Sequence, residues 1–271
     1  MNATVQPSST PFATGSSATF RGMGALVRKD FTEWRRGRRA WVVAIVVTLV
    51  MVLTAANSWI SAQIIQRLPA GADGPEAPLS MAPMDNFMAG VAVQIFILAA
   101  IFAVASLLVR ERETGTLAWI AAKPISRDTI FLSKWISSSV ILAVVAVVVP
   151  VIATAAAVVV LYGPIDPAPV VIVSVGAVAV VAFFAAVGLA ASTFLPGQVA
   201  VVAVGFALFV LGPVIGGLFE PLAMVLPTNI IGWSVGLASG ADVGWITPVA
   251  WAIVTAGLIL VGIRQLRRVE L

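Results

Sequence analysis

The residues that could do chemistry in this 271-residue chain are few and unevenly placed. There is no His and no Cys. The commonest general base, the commonest metal ligand and every thiol nucleophile are therefore missing. No GxxxxGK[ST] run occurs, so the chain is not expected to cradle a nucleotide phosphate itself. One charged, turn-rich segment stands out, residues 110–135, RERETGTLAWIAAKPISRDTIFLSKW. Gly115 loosens whatever precedes it, and Thr114 or Thr116 can cap a short helix running to Lys123. Pro124 ends that helix. Ser126 is a fair N-cap for the next helix, with Asp128 well placed for its dipole. The segment thus predicts a knob of about eight residues, ~12 Å long, that presents Leu117, Trp119 and Ile120. Exposed apolar groups on a charged loop suit a docking surface. Spacing alone leaves a packed loop equally open.

What must position this segment is a membrane. Sixty per cent of the residues are apolar and ten per cent charged, against the ~25% charged of a soluble domain. Mean hydropathy is +1.06. This excludes an ordinary cytosolic enzyme, and equally a disordered chain. Six stretches carry no charged side chain: 40–62, 87–109, 136–161, 169–195, 199–219 and 248–263, the last needing extension back to 245. About 20 residues cross ~30 Å of hydrocarbon. The expected fold is all-α, a polytopic membrane protein with six transmembrane helices. Residues 221–241 are apolar but broken by Pro227, Thr228 and Asn229, which predicts short re-entrant or interfacial helices rather than a seventh span. Residues 1–21 read as a disordered tail ahead of a single transmembrane domain, 22–271.

With six spans, fifteen of the sixteen basic residues fall on one side and only Arg67 on the other. The positive-inside rule then predicts cytoplasmic termini in a cytoplasmic membrane. A seventh span would export Arg264, Arg267 and Arg268. Residues 22–39, GMGALVRKDFTEWRRGRR, bring Met23, Leu26, Val27, Phe31 and Trp34 to helical spacing among basic residues. That predicts an amphipathic helix on the inner surface, drawn to anionic lipid rather than nucleic acid.

The span interiors hold no Asp, Glu, Lys or Arg. Proton relays, voltage sensing and intramembrane proteolysis are disfavoured on that ground. Thr54, Asn57, Gln94, Ser106, Thr154, Ser174, Ser192 and Thr193 read as hydrogen-bond glue between helices, ~0.6–2 kcal/mol each. Asn57 and Gln94 are the best candidates for a substrate path. Gly176, Gly188 and Gly205 suit close helix packing. Trp41, Trp59, Trp135, Trp233 and Trp245 suit an aromatic belt at the headgroups.

The run Glu111-Arg112-Glu113-Thr114-Gly115-Thr116-Leu117, followed by Pro124-Ile125-Ser126-Arg127 and then Lys134, resembles the signature between spans two and three of type-2 ABC exporter permeases. The layout is similar from residue 22 onward: an interfacial helix, six spans and a broken apolar segment before the last. Trp119 and Ile120 depart from a stretch usually richer in Leu, and the outer loop 63–86 is short and Pro-rich. The resemblance implies that the knob is a coupling helix seated in a cleft of a separate ATPase subunit. Glu111, Glu113, Gly115, Thr116, Leu117, Trp119, Ile120, Pro124, Ser126 and Arg127 would form that docking surface. It also implies a second membrane subunit, identical or related, and ATP with magnesium on the partner, no cofactor being expected on this chain. Two other readings stay open: a non-transporting scaffold or sensor that anchors an ATPase, and an ion-coupled secondary carrier. Abundant Ala, Val and Gly hint at a bacterial source.

Overall fold

The computed structural model describes residues 22–66, 93–105, 107–121, 125–219, 226 and 229–268. Every regular element among them is helical. The expected tail 1–21, most of the outer loop 63–86, Ser106, Lys123 and Pro124 lie outside the described residues. Helix α1, Met23–Arg36, precedes α2, Arg38–Gln66. Helices α3, Val93–Ala105, and α4, Leu107–Glu113, form the second span, and α5, Thr116–Ala121, follows it. The third span is built from α6, Arg127–Leu142, a π-helical stretch Ala143–Val148, and α7, Val149–Tyr162. Then come α8, Pro167–Phe194; α9, Gln198–Leu218; α10, Asn229–Ala238; and α11, Ile246–Arg268.

Six helices are long and apolar enough to cross a membrane, so the chain is an all-α, multi-pass membrane protein. The third begins at Arg127, nine residues before the apolar stretch that announced it, because the Ser126 cap and not hydrophobicity sets the helix start. Helix α10 has ten residues, or ~15 Å, half the hydrocarbon thickness. It therefore cannot be a seventh span.

Helix α8 is the axis of the bundle. It packs against α3, α6, α9, α10 and α11, and 61% of its most apolar window is buried, against 17% in α11. Small residues permit these approaches, as expected. A Cβ on Gly176 would meet the Ser234 Oγ of α10 at 2.3 Å, one on Gly188 the Val104 side chain at 3.1 Å, and one on Gly205 the Ile101 side chain at 2.9 Å. Gly262 of α11 adds a fourth such contact, with the Phe131 ring 2.5 Å from its virtual Cβ.

Among the described residues the expected interhelical hydroxyl bonds do not form, and the Thr154 hydroxyl is buried without a hydrogen-bond partner. Thr54, Ser174, Ser192 and Thr193 donate instead to carbonyls three or four residues back in their own helices, at 2.6–2.8 Å. These hydroxyls find such a carbonyl within reach, and apolar packing between helices leaves no reason to give it up. Two of the tryptophans expected in an aromatic belt face outward and another is tied inside the bundle. Trp41 and Trp245 are exposed, but the Trp135 indole N–H donates to the Ala182 carbonyl of α8 at 3.0 Å and is thereby an inter-helix tie.

The π-helical stretch sits just ahead of Pro150. Proline lacks the N–H that would close an α-turn and its ring crowds the preceding turn, so a locally wider helix relieves both problems. Its effect shows in burial. Buried pairs fall at Ser137/Ser138, Ile141/Leu142, Ala146/Val147 and Pro150/Val151. The step across the wide turn is five residues, the others four.

Candidate functional site

Helix α4 ends where the sequence predicts. Gly115 takes φ 70°, a left-handed conformation that favours glycine, and its N–H donates to the Arg112 carbonyl at 3.1 Å. The hydroxyls of Thr114 and Thr116 share a hydrogen bond of 2.9 Å across this turn, and Thr114 also donates to the Arg110 carbonyl at 2.9 Å. The Trp119 N–H donates to the Gly115 carbonyl, opening α5. That helix is described over Thr116–Ala121, and its expected end at Lys123 and Pro124 lies outside the described residues.

Its apolar side chains do not all face outward. Leu117 and Ile120 are buried in the main core, while Trp119 is 65% exposed. Residues three apart share a helix face, so one face anchors the knob to the bundle and leaves Trp119 outside. Of the other predicted docking residues, Glu113 and Gly115 are exposed and Thr116, Ser126 and Arg127 half-buried. Glu111 is turned inward, its side chain 12% exposed.

Two arginines tie the segment to the ends of other spans. Arg112 donates to the Ser192 and Leu195 carbonyls at the end of α8, at 3.1 and 3.0 Å. Arg127 donates to the Leu266 and Arg267 carbonyls at the end of α11, at 2.9 and 3.1 Å. The final carbonyls of a helix have no partner within it and carry its negative dipole end, so a guanidinium is well matched to them. Ser126 caps α6 as expected, accepting from the Thr129 N–H at 3.1 Å. Asp128 in its first turn forms a two-pronged ion pair with Arg267, Nε to Oδ1 at 2.7 Å.

Behind the knob lies a buried ionic cluster that the sequence reading missed. Lys134 Nζ of α6 is 2.7 Å from Glu111 Oε2 of α4 and 3.7 Å from Asp30 Oδ1 of α1. Lys29 Nζ reaches Glu111 Oε1 at 3.4 Å and Glu33 at 3.3 Å, and the Ser137 hydroxyl donates to Asp30 Oδ2 at 3.0 Å. Burial disfavours the Lys29 charge, but Glu111, then Glu33 and Asp30, outweigh it and hold its pKa above the usual lysine value. Burial pushes the Asp30 carboxyl up, against the pull of Lys134 and Ser137. One signal was available: Asp30 lies four residues from both Leu26 and Trp34, on the apolar stripe of α1. Accordingly α1 packs on α6 through that stripe. The Asp30, Glu33 and Glu111 carboxylates come within 4.8 Å of one another, but Lys29 and Lys134 already supply the positive charge a metal would bring. A cavity of about 760 Å³ opens beside the cluster, between α1, α4 and α6.

A family model described as ABC-2 family transporter protein matches residues 24–258. The chain belongs to that family. No curated protein matches it. The matched region runs from the start of α1 into α11 and contains the knob, the arginine ties and the ionic cluster. The chain is thus the membrane component of an ABC transporter, a class that works with an ABC ATPase. Asn57 and Gln94 are both exposed on this ABC-2 chain, and neither lines the cavity beside Lys134.

Proposed function

We propose that this chain is the permease subunit of an exporter, driven by a separate ATPase subunit that docks on the 110–135 segment at the cytoplasmic face. The observation that carries the reading is a short helix at the basic end of span two, anchored by Leu117 and Ile120 and holding Trp119 65% exposed beside the Gly115 turn. Glu113, Gly115, Thr116 and Trp119 form the contact surface. Glu111, Leu117, Ile120, Ser126 and Arg127 support it from behind. A push on the knob reaches α8 through Arg112, α11 through Arg127 and α1 through Glu111. Driving a two-state bundle from 1:99 to 99:1 takes ~5.5 kcal/mol, which closure of an ATP-loaded ATPase pair would supply. ATP and magnesium belong to that partner. A second membrane subunit, identical or related, completes the pathway, and Asn57 and Gln94 are the polar groups available to line it. The uncharged span interiors favour a hydrophobic or amphipathic cargo.

The test is co-purification of the full chain with its ATPase, comparing wild type with Trp119→Ala combined with Glu113→Ala. Removing an aromatic anchor costs ~2 kcal/mol or more at an interface, about thirtyfold in association. Unchanged association, or ATP hydrolysis by this chain alone, would contradict the proposal.

A further inference from the structure

The cavity beside the ionic cluster holds more cationic groups than the cluster uses. Lys29 and Lys134 are taken up by Glu111, Glu33 and Asp30. Arg36, Arg38 and Arg110 also line the cavity, and among the described residues no carboxylate lies within ion-pair distance of them. Their depth is set by the chain. The apolar span of α2 begins at Ala40, so Arg36 and Arg38 precede it by four and two residues. Arg110 directly follows Val109, the last apolar residue of the second span. At 1.5 Å per residue the Arg38 and Arg110 backbones lie within ~3 Å of the apolar edge, with Arg36 one extended residue beyond Arg38. The headgroup layer is itself ~5–8 Å thick on each side. Gly37 interrupts the helix between α1 and α2, so Arg36 and Arg38 sit on different helices that converge on one cavity. Leu107 and Trp34 form its apolar wall.

From this arrangement we infer a discrete site for the phosphate-bearing headgroup of an anionic phospholipid from the basic-side leaflet, held by Arg36, Arg38 and Arg110. Guanidinium forks match phosphate oxygens in pairs. A volume of about 760 Å³ is within the range of small-ligand sites. The two lysines offset two of the three acids in the cavity, and with Arg36, Arg38 and Arg110 the lining keeps a net positive charge, so the acids do not exclude a phosphate. The site goes beyond the proposed transport role and does not depend on ATPase docking. Its occupant would bridge the interfacial helix to spans one and two.

The experiment uses the full chain, delipidated in mild detergent. Retention of added phosphatidylglycerol or phosphatidylcholine is measured by native mass spectrometry, with and without excess inorganic phosphate. Wild type should retain one phosphatidylglycerol in preference to phosphatidylcholine. The triple variant Arg36→Gln, Arg38→Gln, Arg110→Gln should weaken phosphatidylglycerol binding about a hundredfold. A control with equal charge loss outside the cavity, Arg35→Gln, Arg264→Gln, Arg268→Gln, should change it less than about tenfold. The corresponding triple Lys variant keeps the charge but not the forks and should bind between the wild type and the Gln variant, which separates site loss from misfolding. Equal losses in cavity and control variants would overturn the site in favour of diffuse attraction. Displacement by inorganic phosphate would overturn a lipid occupant. Unchanged lipid retention with lost ATPase co-purification would reassign the cavity to protein docking.

Discussion

The basic end of the molecule and the middle of its bundle are held together by opposite means. At the basic end, long side chains join elements that are far apart in sequence: Arg112 to α8, Arg127 to α11, Lys134 to α1 and α4. In the middle, Thr54 and Ser174 turn back on their own helices and the close contacts are steric, glycine against Ser234, Val104 and Ile101, beside the single described Trp135–Ala182 bond between α6 and α8. The middle needs only shape, because lipid is as apolar as the helices and gives no hydrophobic drive to associate. The basic end joins a short surface helix to several spans, and charge-assisted hydrogen bonds to helix ends provide specific handles for that.

This contrast can be broken from either side. The largest effect is expected for Lys134→Met, which takes the nearest lysine from both the Asp30 and Glu111 carboxylates in a buried site and leaves Glu111 only Lys29 and Asp30 only Ser137 among the described contacts. Breaking a buried pair in this way costs ~3–5 kcal/mol, measured as lost resistance to unfolding in mixed detergent micelles. Next comes Gly176→Val, which forces α10 away from α8. Overpacking of that kind costs ~1–3 kcal/mol, and cross-linking between cysteines placed on α8 and α10 should fall with it. Arg112→Gln should cost about 1 kcal/mol. Its more telling readout is ATPase stimulation, which should drop even where association persists, because the knob has lost its tie to α8. The smallest effect belongs to Asp30→Asn, under about 1 kcal/mol. Burial already disfavours the Asp30 charge, and Lys134 keeps its shorter contact with Glu111. If Asp30→Asn proved as damaging as Lys134→Met, the cluster would be centred on α1 rather than on α4 and α6.

Much of this was legible in the chain. Span number followed from uncharged length, and the Ser126 cap, the Gly115 turn and the close glycines followed from residue type at a given place. What was hidden had a common cause. In a stretch as uniformly apolar as 140–160, no periodicity distinguishes inside from outside, so the widened turn left no mark. Leu117 and Ile120 looked exposed because a short helix has too few turns for its neighbours to be known from spacing. The ionic cluster joins residues 82 and 107 positions apart, a distance at which sequence pattern carries no contact information.

The widened turn of span three carries a further consequence. Because the five-residue step takes up one position, the residues on either side keep the same inward stripe. A relative with one residue fewer between positions 143 and 148 would present the same inner and outer stripes to α2 and α8. Alignment across that point would therefore require a single-residue gap, and helical-wheel numbering carried through it without one would assign the outer half of the rod to the wrong side.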